Sequence, residues 1–399
     1  MKIVVATALA DVALHQLRGL GNEVVYEPDA TADRLKALAG SATILVVGSQ
    51  RVARETIEAA KTLQMIVHAG EGPGDVALDD ASVQGVFVTH CPNKYADAVA
   101  ELALGLAVML DRGILDQATA LREGRWERSG IGDARGLAGR SFGVLGYGID
   151  GQRVARLAVH AGMQVYAWSP NFEHTNDPSE EVELCNFPHE VSQHCEIVCV
   201  CSLPRSESLP VVERTFLEAL PDGASLIHLG PPQAVDEAAV ARAVREKGLR
   251  VAIDSFQGAP NMERAKFRSA LLDLPRVIGT PAIARVTRQA RDSIAAEVVR
   301  IVRTFLVSGE ALHCLNLLER SPATWQLVLR VRDQVGVMAS ILDAIRADGV
   351  NAEEITSRVF TGAKAAWCAI SLDERPSKDA LESIRKLPDV MHLELRAMV

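Results

Sequence analysis

The stretch Gly143-Val144-Leu145-Gly146-Tyr147-Gly148-Ile149-Asp150-Gly151 lies near the middle of the chain and decides how the rest is read. It carries Gly-x-Gly-x-x-Gly at Gly146, Gly148 and Gly151. An apolar run precedes it, and Gln152-Arg153-Val154-Ala155-Arg156-Leu157-Ala158, with helical apolar spacing, follows. That order predicts strand, tight turn and helix, the context in which this motif cradles a dinucleotide. The first glycine permits the turn, the second lets backbone approach a pyrophosphate, and the third lets the helix pack closely on the strand. The helix N-terminus directs N–H groups at the phosphates. Gly146, Tyr147, Gly148, Ile149, Asp150 and Gly151 are therefore the expected cofactor contacts. The competing reading is a purely structural turn in an α/β sheet, and the strand-to-helix context weighs against it.

The same alternation surrounds this stretch. Strands are expected at Gln164 to Trp168, Ile197 to Cys201, Ser225 to Leu229 and Arg250 to Asp254, each followed by a turn and a helical stretch. Upstream, Lys2 to Ala6, Glu23 to Tyr26, Thr43 to Val47, Met65 to His68 and Gly85 to Thr89 repeat the pattern. Strands alternating with helices mean a parallel sheet covered on both faces. Tyr95 to Arg122 fits one or two helices crossing between lobes, and a helix from Thr287 to Leu306 returns toward the first lobe. Past the polar, proline-bearing run Glu319 to Ala323, the order is β-α-β-β-α-β. The expected fold is thus α/β, with two doubly wound parallel-sheet lobes and a small C-terminal domain. The first lobe, flavodoxin-like, takes residues 1–96 plus 286–318. An inserted Rossmann domain takes 97–285, and the tail domain 319–399.

Composition narrows the function. At 399 residues with 48% hydrophobic content, the chain buries a large core. Its net charge of -9 and the absence of a Lys/Arg stripe disfavour nucleic acid. No apolar run reaches membrane-spanning length, and Met1-Lys2-Ile3-Val4-Val5-Ala6 reads as a strand rather than a leader. Seven cysteines without a disulfide-scaffold pattern fit reduced thiols, so a cytoplasmic location is expected. Cys199 and Cys201 share a strand face near Cys195 and His194, which suits core better than a metal site, and no metal is expected.

Several local signatures resemble one family. Ala98-Val99-Ala100-Glu101-Leu102, Glu123-Gly124-Arg125-Trp126, the turn from Arg140 to Met163, Val235-Asp236-Glu237 and Ile253-Asp254-Ser255-Phe256 are similar to segments of D-2-hydroxyacid dehydrogenases of the phosphoglycerate dehydrogenase type. In the tail, Asp333-Gln334-Val335-Gly336-Val337 and Gly349-Val350-Asn351 resemble an ACT domain. The resemblance implies NAD, hydride transfer to or from a small 2-hydroxy acid, and a His, a Glu and an Arg that serve that transfer. It also implies a homodimer or homotetramer.

This sequence departs from the pattern at all three catalytic positions. Pro231 stands at the arginine, Ala259 at the glutamate and Ala282 at the histidine. The family's carboxylate-holding loop reads His68-Ala69-Gly70-Glu71-Gly72-Pro73-Gly74-Asp75, where Gly70 and Gly72 are compatible with an amide nest. His68, Lys94, Tyr95 and Arg205 are expected along the interlobe cleft, where a small ligand would sit. His228, at a strand end, reads first as structural, and in a rebuilt site it is the leading candidate for a replacement acid or base. Asp254 matches the aspartate near the nicotinamide, and Ser169 and Pro204 fall beside the nucleotide. Ser169 occupies the acidic ribose position, yet no arginine follows, so NAD is favoured over NADP. For an amino-acid effector in the tail, Asp333, Gly336 and Asn351 are the candidates. Two functional readings follow: an NAD-binding family member that has lost ordinary hydride transfer and acts as a sensor or regulator, or an enzyme with a rebuilt site on an unusual small acid. A weak NAD-dependent 2-hydroxyacid oxidoreductase is a third.

Overall fold

The computed structural model describes residues 1–126, 128, 134–170, 181–201, 203, 210–260, 264–318 and 320–398. It divides into two compact units, Met1–Asn316 and Leu317–Val399.

The first unit holds two sheets. Strands β1 (Lys2–Val5), β2 (Glu23–Tyr26), β3 (Ile44–Val47), β4 (Met65–His68) and β5 (Phe87–His90) alternate with helices α1 (Asp11–Gly19), α2 (Ala32–Ala39), α3 (Arg54–Ala59) and α4 (Leu78–Val83). All pairs are parallel, in the order β2-β1-β3-β4-β5. Ile44 to Val47 are buried without alternation, as a sheet covered on both faces requires.

The long apolar pattern resolves into α5 (Ala96–Arg112) and α6 (Ile114–Arg122), separated where Gly113 takes a left-handed φ of 57°. Helix α5 does more than cross between lobes. Its Val99, Ala103, Leu106 and Leu110 pack in the core of the second sheet with Phe142 and Val154.

That second sheet is built from β6 (Ser141–Leu145), α7 (Ile149–His160), β7 (Gln164–Trp168), β8 (Val182–Leu184), α8 (Pro188–His194), β9 (Ile197–Val200), α9 (Arg214–Ala219), β10 (Ser225–His228), α10 (Glu237–Lys247), β11 (Arg250–Ile253) and β12 (Val277–Gly279). The order β12-β11-β10-β9-β6-β7-β8 is parallel throughout. Strand β8 is missing from the sequence reading, because three residues carry too little periodicity to be seen. Strand order reverses between β6 and β9, which opens a crevice at their carboxyl ends, where ligands bind in such sheets. Helix α11 (Arg288–Ser308) is capped by Thr287, whose hydroxyl accepts from Ala290 N at 3.1 Å. It returns to the first sheet, where Ile294, Val298, Ile301 and Phe305 pack against Ile3, Val5 and Leu17.

The second unit runs β13 (Trp325–Arg332), α12 (Val337–Ala347), β14 (Ala352–Val359), β15 (Ala365–Leu372), α13 (Lys378–Arg385) and β16 (Val390–Ala397). Its antiparallel order β14-β15-β13-β16 is the split ferredoxin-like arrangement. Leu327, Leu329, Ile341, Ile345, Ile370 and Ile384 form its core. Gly336 starts α12 with φ 91°. Asp333 follows β13, and Asn351 precedes β14, where its amide nitrogen donates to Glu353 at 2.6 Å.

Candidate functional site

The glycine turn follows directly from β6. Gly146 has φ 93°, a conformation that favours glycine, and its N–H donates to Trp168 O at 2.8 Å, tying the turn to β7. A methyl on Gly151 would stand 2.0 Å from Gly146 O, so the start of α7 lies on the backbone of the strand end. A methyl on Gly148 would meet nothing within 4 Å. That open space above the first turn of α7 fits a pyrophosphate. Tyr147 is buried in the core, Ile149 is exposed, and Ser169 is half-buried just past β7. Asp150 sits buried in the first turn of α7. A carboxylate there opposes a phosphate, and the structure answers it with Arg285, whose Nη2 lies 3.1 Å from Asp150 Oδ2. Pro204 and Arg205 lie outside the described residues.

Asp254, buried just past β11, organises the turn that faces the nucleotide side. Its Oδ1 accepts from Thr280 Oγ1 (2.6 Å) and Ile283 N (2.8 Å), and its Oδ2 from Ala284 N (2.9 Å). Ala282 N donates to Asp254 O, and Ala282 takes φ 53°. Pro231, Asp254, Ala282 and Arg285 line one cleft of about 350 Å³. That is within the size range of small-molecule sites. Ala259 is not part of it. It is exposed and lines a separate depression with Pro232, Asp236 and Phe256.

His228 is placed differently from the expectation of a cleft acid or base. It is 1% exposed, and among the described residues neither imidazole nitrogen has a hydrogen-bond partner. In register with Val200 and Ile253, it shares their face of the sheet. Burial pushes its pKa down to about 4. A strand-end position signals the crevice only when the side chain turns toward it, and this one turns into the core.

The substrate-lobe loop also departs from expectation. Gly72 N–H donates to His90 Nδ1 at 3.1 Å, and Gly72 O lies 2.8 Å from His68 Nδ1. The Gly72 amide thus serves a histidine rather than an anion nest. Gly70 and Gly74 close around the His68 ring: a methyl on either would fall 2.8 Å from an imidazole carbon. A methyl on Gly70 would also stand 3.1 Å from His68 Nε2 and 3.3 Å from Tyr95 Oη, so these two polar atoms converge on one spot. Ala69 is anchored by its N–H to Val47 O. Glu71 reaches Arg285, its Oε2 lying 3.3 Å from Nη1, and the guanidinium carbon lies 5.3 Å from the Tyr95 ring centre. Desolvation raises the Glu71 carboxyl, Arg285 lowers it, and Asp150 raises it, with a net upward shift.

Lys94 turns to a cluster that single positions in the sequence did not reveal. Its Nζ lies 3.0 Å from Oε2 of Glu297, a buried residue on α11, whose Oε1 is shared with Arg300 and with His313 Nε2 (3.0 Å). Burial works to raise the Glu297 carboxyl, but hydrogen bonds from Arg300 and Lys94 outweigh it and hold the pKa at about 2. Cys199 and Cys201, 3.7 Å apart through sulfur, are packed in the core.

Residues 104–284 match the NAD-binding domain of the D-isomer specific 2-hydroxyacid dehydrogenases. The chain is also 30% identical over 273 residues to a hydroxypyruvate reductase of Thermotoga maritima, covering 67% of this chain and 86% of that one. The chain belongs to the D-isomer specific 2-hydroxyacid dehydrogenase family. Among other relatives, a D-3-phosphoglycerate dehydrogenase of Methanocaldococcus jannaschii is 27% identical over 319 residues, which is 79% of this chain but 60% of that longer one. A solved structure of the TT0316 protein from Thermus thermophilus superposes with a TM-score of 0.68 at 26% identity, covering 79% of this chain and all of that one. The NAD+-bound 3-phosphoglycerate dehydrogenase of Entamoeba histolytica shares the fold, with a TM-score of 0.61 at 22% identity over 80% and 99% of the two chains.

The family's NAD-binding domain in this dehydrogenase-family chain therefore contains the glycine turn, Asp254 and Ala282 in one sheet. Arg285 is the functional candidate that sequence reasoning missed. It stands three residues past Ala282, and an arginine so near a position already singled out was the available signal.

Proposed function

We propose that this chain binds NAD at the Gly146–Gly151 turn and a small ligand in the adjoining cleft, without the family's His/Glu/Arg apparatus for hydride transfer. The observation that carries this reading is the pairing of a glycine turn shaped for a pyrophosphate with Pro231 and Ala282 in the cleft beside it. NAD supplies a hydride acceptor at its nicotinamide. To use it, a protein must remove the hydroxyl proton and stabilise a developing carbonyl, and positioned acid–base catalysis of that kind contributes roughly 10²- to 10⁴-fold in rate. Neither proline nor alanine has a group for either task.

What the chain's residues do in this reading is bind and orient. The first turn of α7 presents N–H groups to the pyrophosphate, Arg285 offsets Asp150, and Asp254 fixes the 280–284 turn against which a ligand rests. The protein then acts as an NAD-dependent sensor or regulator in the cytoplasm. The C-terminal unit serves as an ACT-type domain for self-association into a dimer or tetramer. Asp333, Gly336 and Asn351 are the residues to test there against a panel of amino acids. The reading is tested by titrating the purified chain with NAD and NADP, and by following nicotinamide absorbance across a panel of 2-hydroxy and 2-oxo acids. Binding without turnover is the expected result, and ready turnover refutes it.

A second reading is favoured by one observation, the convergence of His68 Nε2 and Tyr95 Oη beside Gly70. In that reading His68 exchanges the proton and Tyr95 donates to the ligand oxygen, giving a rebuilt acid–base pair. Turnover abolished by both His68→Gln and Tyr95→Phe would establish it over the first.

A further inference from the structure

Arg285 is the cation at the edge of the cleft that holds Pro231 and Ala282, and among the described residues its guanidinium meets two carboxylates. The two partners differ in kind. Asp150 is buried, and its backbone is fixed in the first turn of α7. Glu71 is on a loop whose backbone is fixed by Cys91 N–H donating to Gly70 O and Gly72 N–H donating to His90 Nδ1, while its side chain is held only at the tip, by Arg285 and the backbone N–H of Asn93. The side chains of Arg285 and Glu71 are 41% and 33% exposed, so the pair is reached by water and by small solutes. An ion pair this exposed contributes little, and the desolvation that raises the Glu71 carboxyl weakens it further. Arginine presents a planar fork that takes a carboxylate through two parallel hydrogen bonds. Here Glu71 sits 3.3 Å from one arm of that fork while Asp150 holds the other.

We propose that Arg285 is the residue that binds a ligand carboxylate in this cleft, and that Glu71 is a tethered stand-in which that carboxylate displaces. The inference rests on the reading above that the cleft beside NAD takes a small ligand. It adds the residue that holds the ligand's carboxylate and the internal carboxylate that the ligand displaces. When the ligand enters, its carboxylate takes the Nη1 arm, the Glu71 side chain rotates to solvent from its fixed backbone, and Asp150 keeps the Nη2 arm. The Tyr95 ring beneath the guanidinium holds the cation in place through the exchange. The link between Glu71 on the first lobe and Arg285 on the second is broken in the same step. Ligand binding therefore also releases a contact between the two sheets.

The experiment uses the full-length chain saturated with NAD and measures the dissociation constants of pyruvate, oxamate and glycolate by calorimetry. Wild type is compared with Glu71→Gln, Arg285→Met and Arg285→Lys, each checked for folding by thermal unfolding. Glu71→Gln removes the competing charge with little change of shape, and it is expected to tighten carboxylate binding by roughly fivefold, the scale of a partly exposed ion pair. Arg285→Met is expected to weaken binding by at least about tenfold, and Arg285→Lys, which keeps charge but loses the fork, to weaken it as well. Equal affinity in wild type and Glu71→Gln overturns the proposal. So does undiminished binding in either Arg285 variant, or no carboxylate binding by any of the proteins. A separate NAD titration of wild type keeps the two levels apart. Failure to bind NAD removes the underlying reading, whereas NAD binding with no dependence on Glu71 or Arg285 removes only this inference.

Discussion

Gly148 and Gly151 are both motif glycines, yet the structure gives them opposite roles, and alanine at each position separates fold from ligand. At Gly151 a methyl would lie 2.0 Å from Gly146 O, 3.0 Å from Gly146 C and 3.2 Å from Val144 Cγ1. Two of those atoms are backbone and cannot rotate away, so Gly151→Ala must shift the turn, at a cost of about 1–3 kcal/mol or more. At Gly148 the backbone is extended, with φ -68° and ψ -169°, and a methyl meets nothing within 4 Å. Gly148→Ala should therefore leave stability within about 0.5 kcal/mol of wild type, or raise it slightly by restricting the unfolded chain. The same methyl fills the space assigned to the pyrophosphate. NAD affinity should fall at least about tenfold, equivalent to ~1.4 kcal/mol. Urea unfolding without nucleotide measures the first quantity, and quenching of protein fluorescence by NADH measures the second. A Gly148→Ala protein that binds NADH as wild type does would refute the placement of the pyrophosphate. A Gly151→Ala protein of unchanged stability would refute the packing account of the turn.

Three further outcomes follow, two from buried ionisable groups and one from backbone strain. His228 stays neutral when folded down to about pH 4, whereas in the unfolded chain it takes up a proton near its ordinary 6.5. Stability is therefore lost as pH falls from about 6.5 to 4, by up to roughly 3 kcal/mol, and His228→Leu should flatten the denaturation midpoint across that window. Glu297 shows the usual carboxylate case, with a folded pKa of about 2 against an ordinary 4.5. Its contribution, on the order of 2–3 kcal/mol, is present above about pH 4.5 and fades as pH falls to 2, so Glu297→Gln should be destabilised at neutral pH and converge with wild type in acid. Ala282 holds a left-handed φ of 53° that glycine adopts without strain, so Ala282→Gly should raise the thermal midpoint, by roughly 1 kcal/mol of stability.

The parts of this molecule legible in its sequence are those that local chemistry dictates. The Gly146–Gly151 turn was readable because its geometry depends on missing side chains at fixed spacing, and the parallel sheets because buried strands read as apolar runs. His228 kept two readings open, structural and catalytic, because a sequence gives the end of a strand but not the direction in which its last side chain turns. The Arg285 network was out of reach for another reason. Its link to Asp150 spans 135 positions, and its link to Glu71 joins two sheets, so nothing local announces either. Read one position at a time, the 280–285 turn draws notice only at Ala282, the position the resemblance assigns to a histidine. The structure shows that the same turn carries a cation, Arg285, at the cleft it lines with Pro231 and Ala282. Buried Asp150 and loop-borne Glu71 both reach that cation, each from a different sheet. In the proposed reading, this arrangement is what a ligand cleft without hydride transfer would keep.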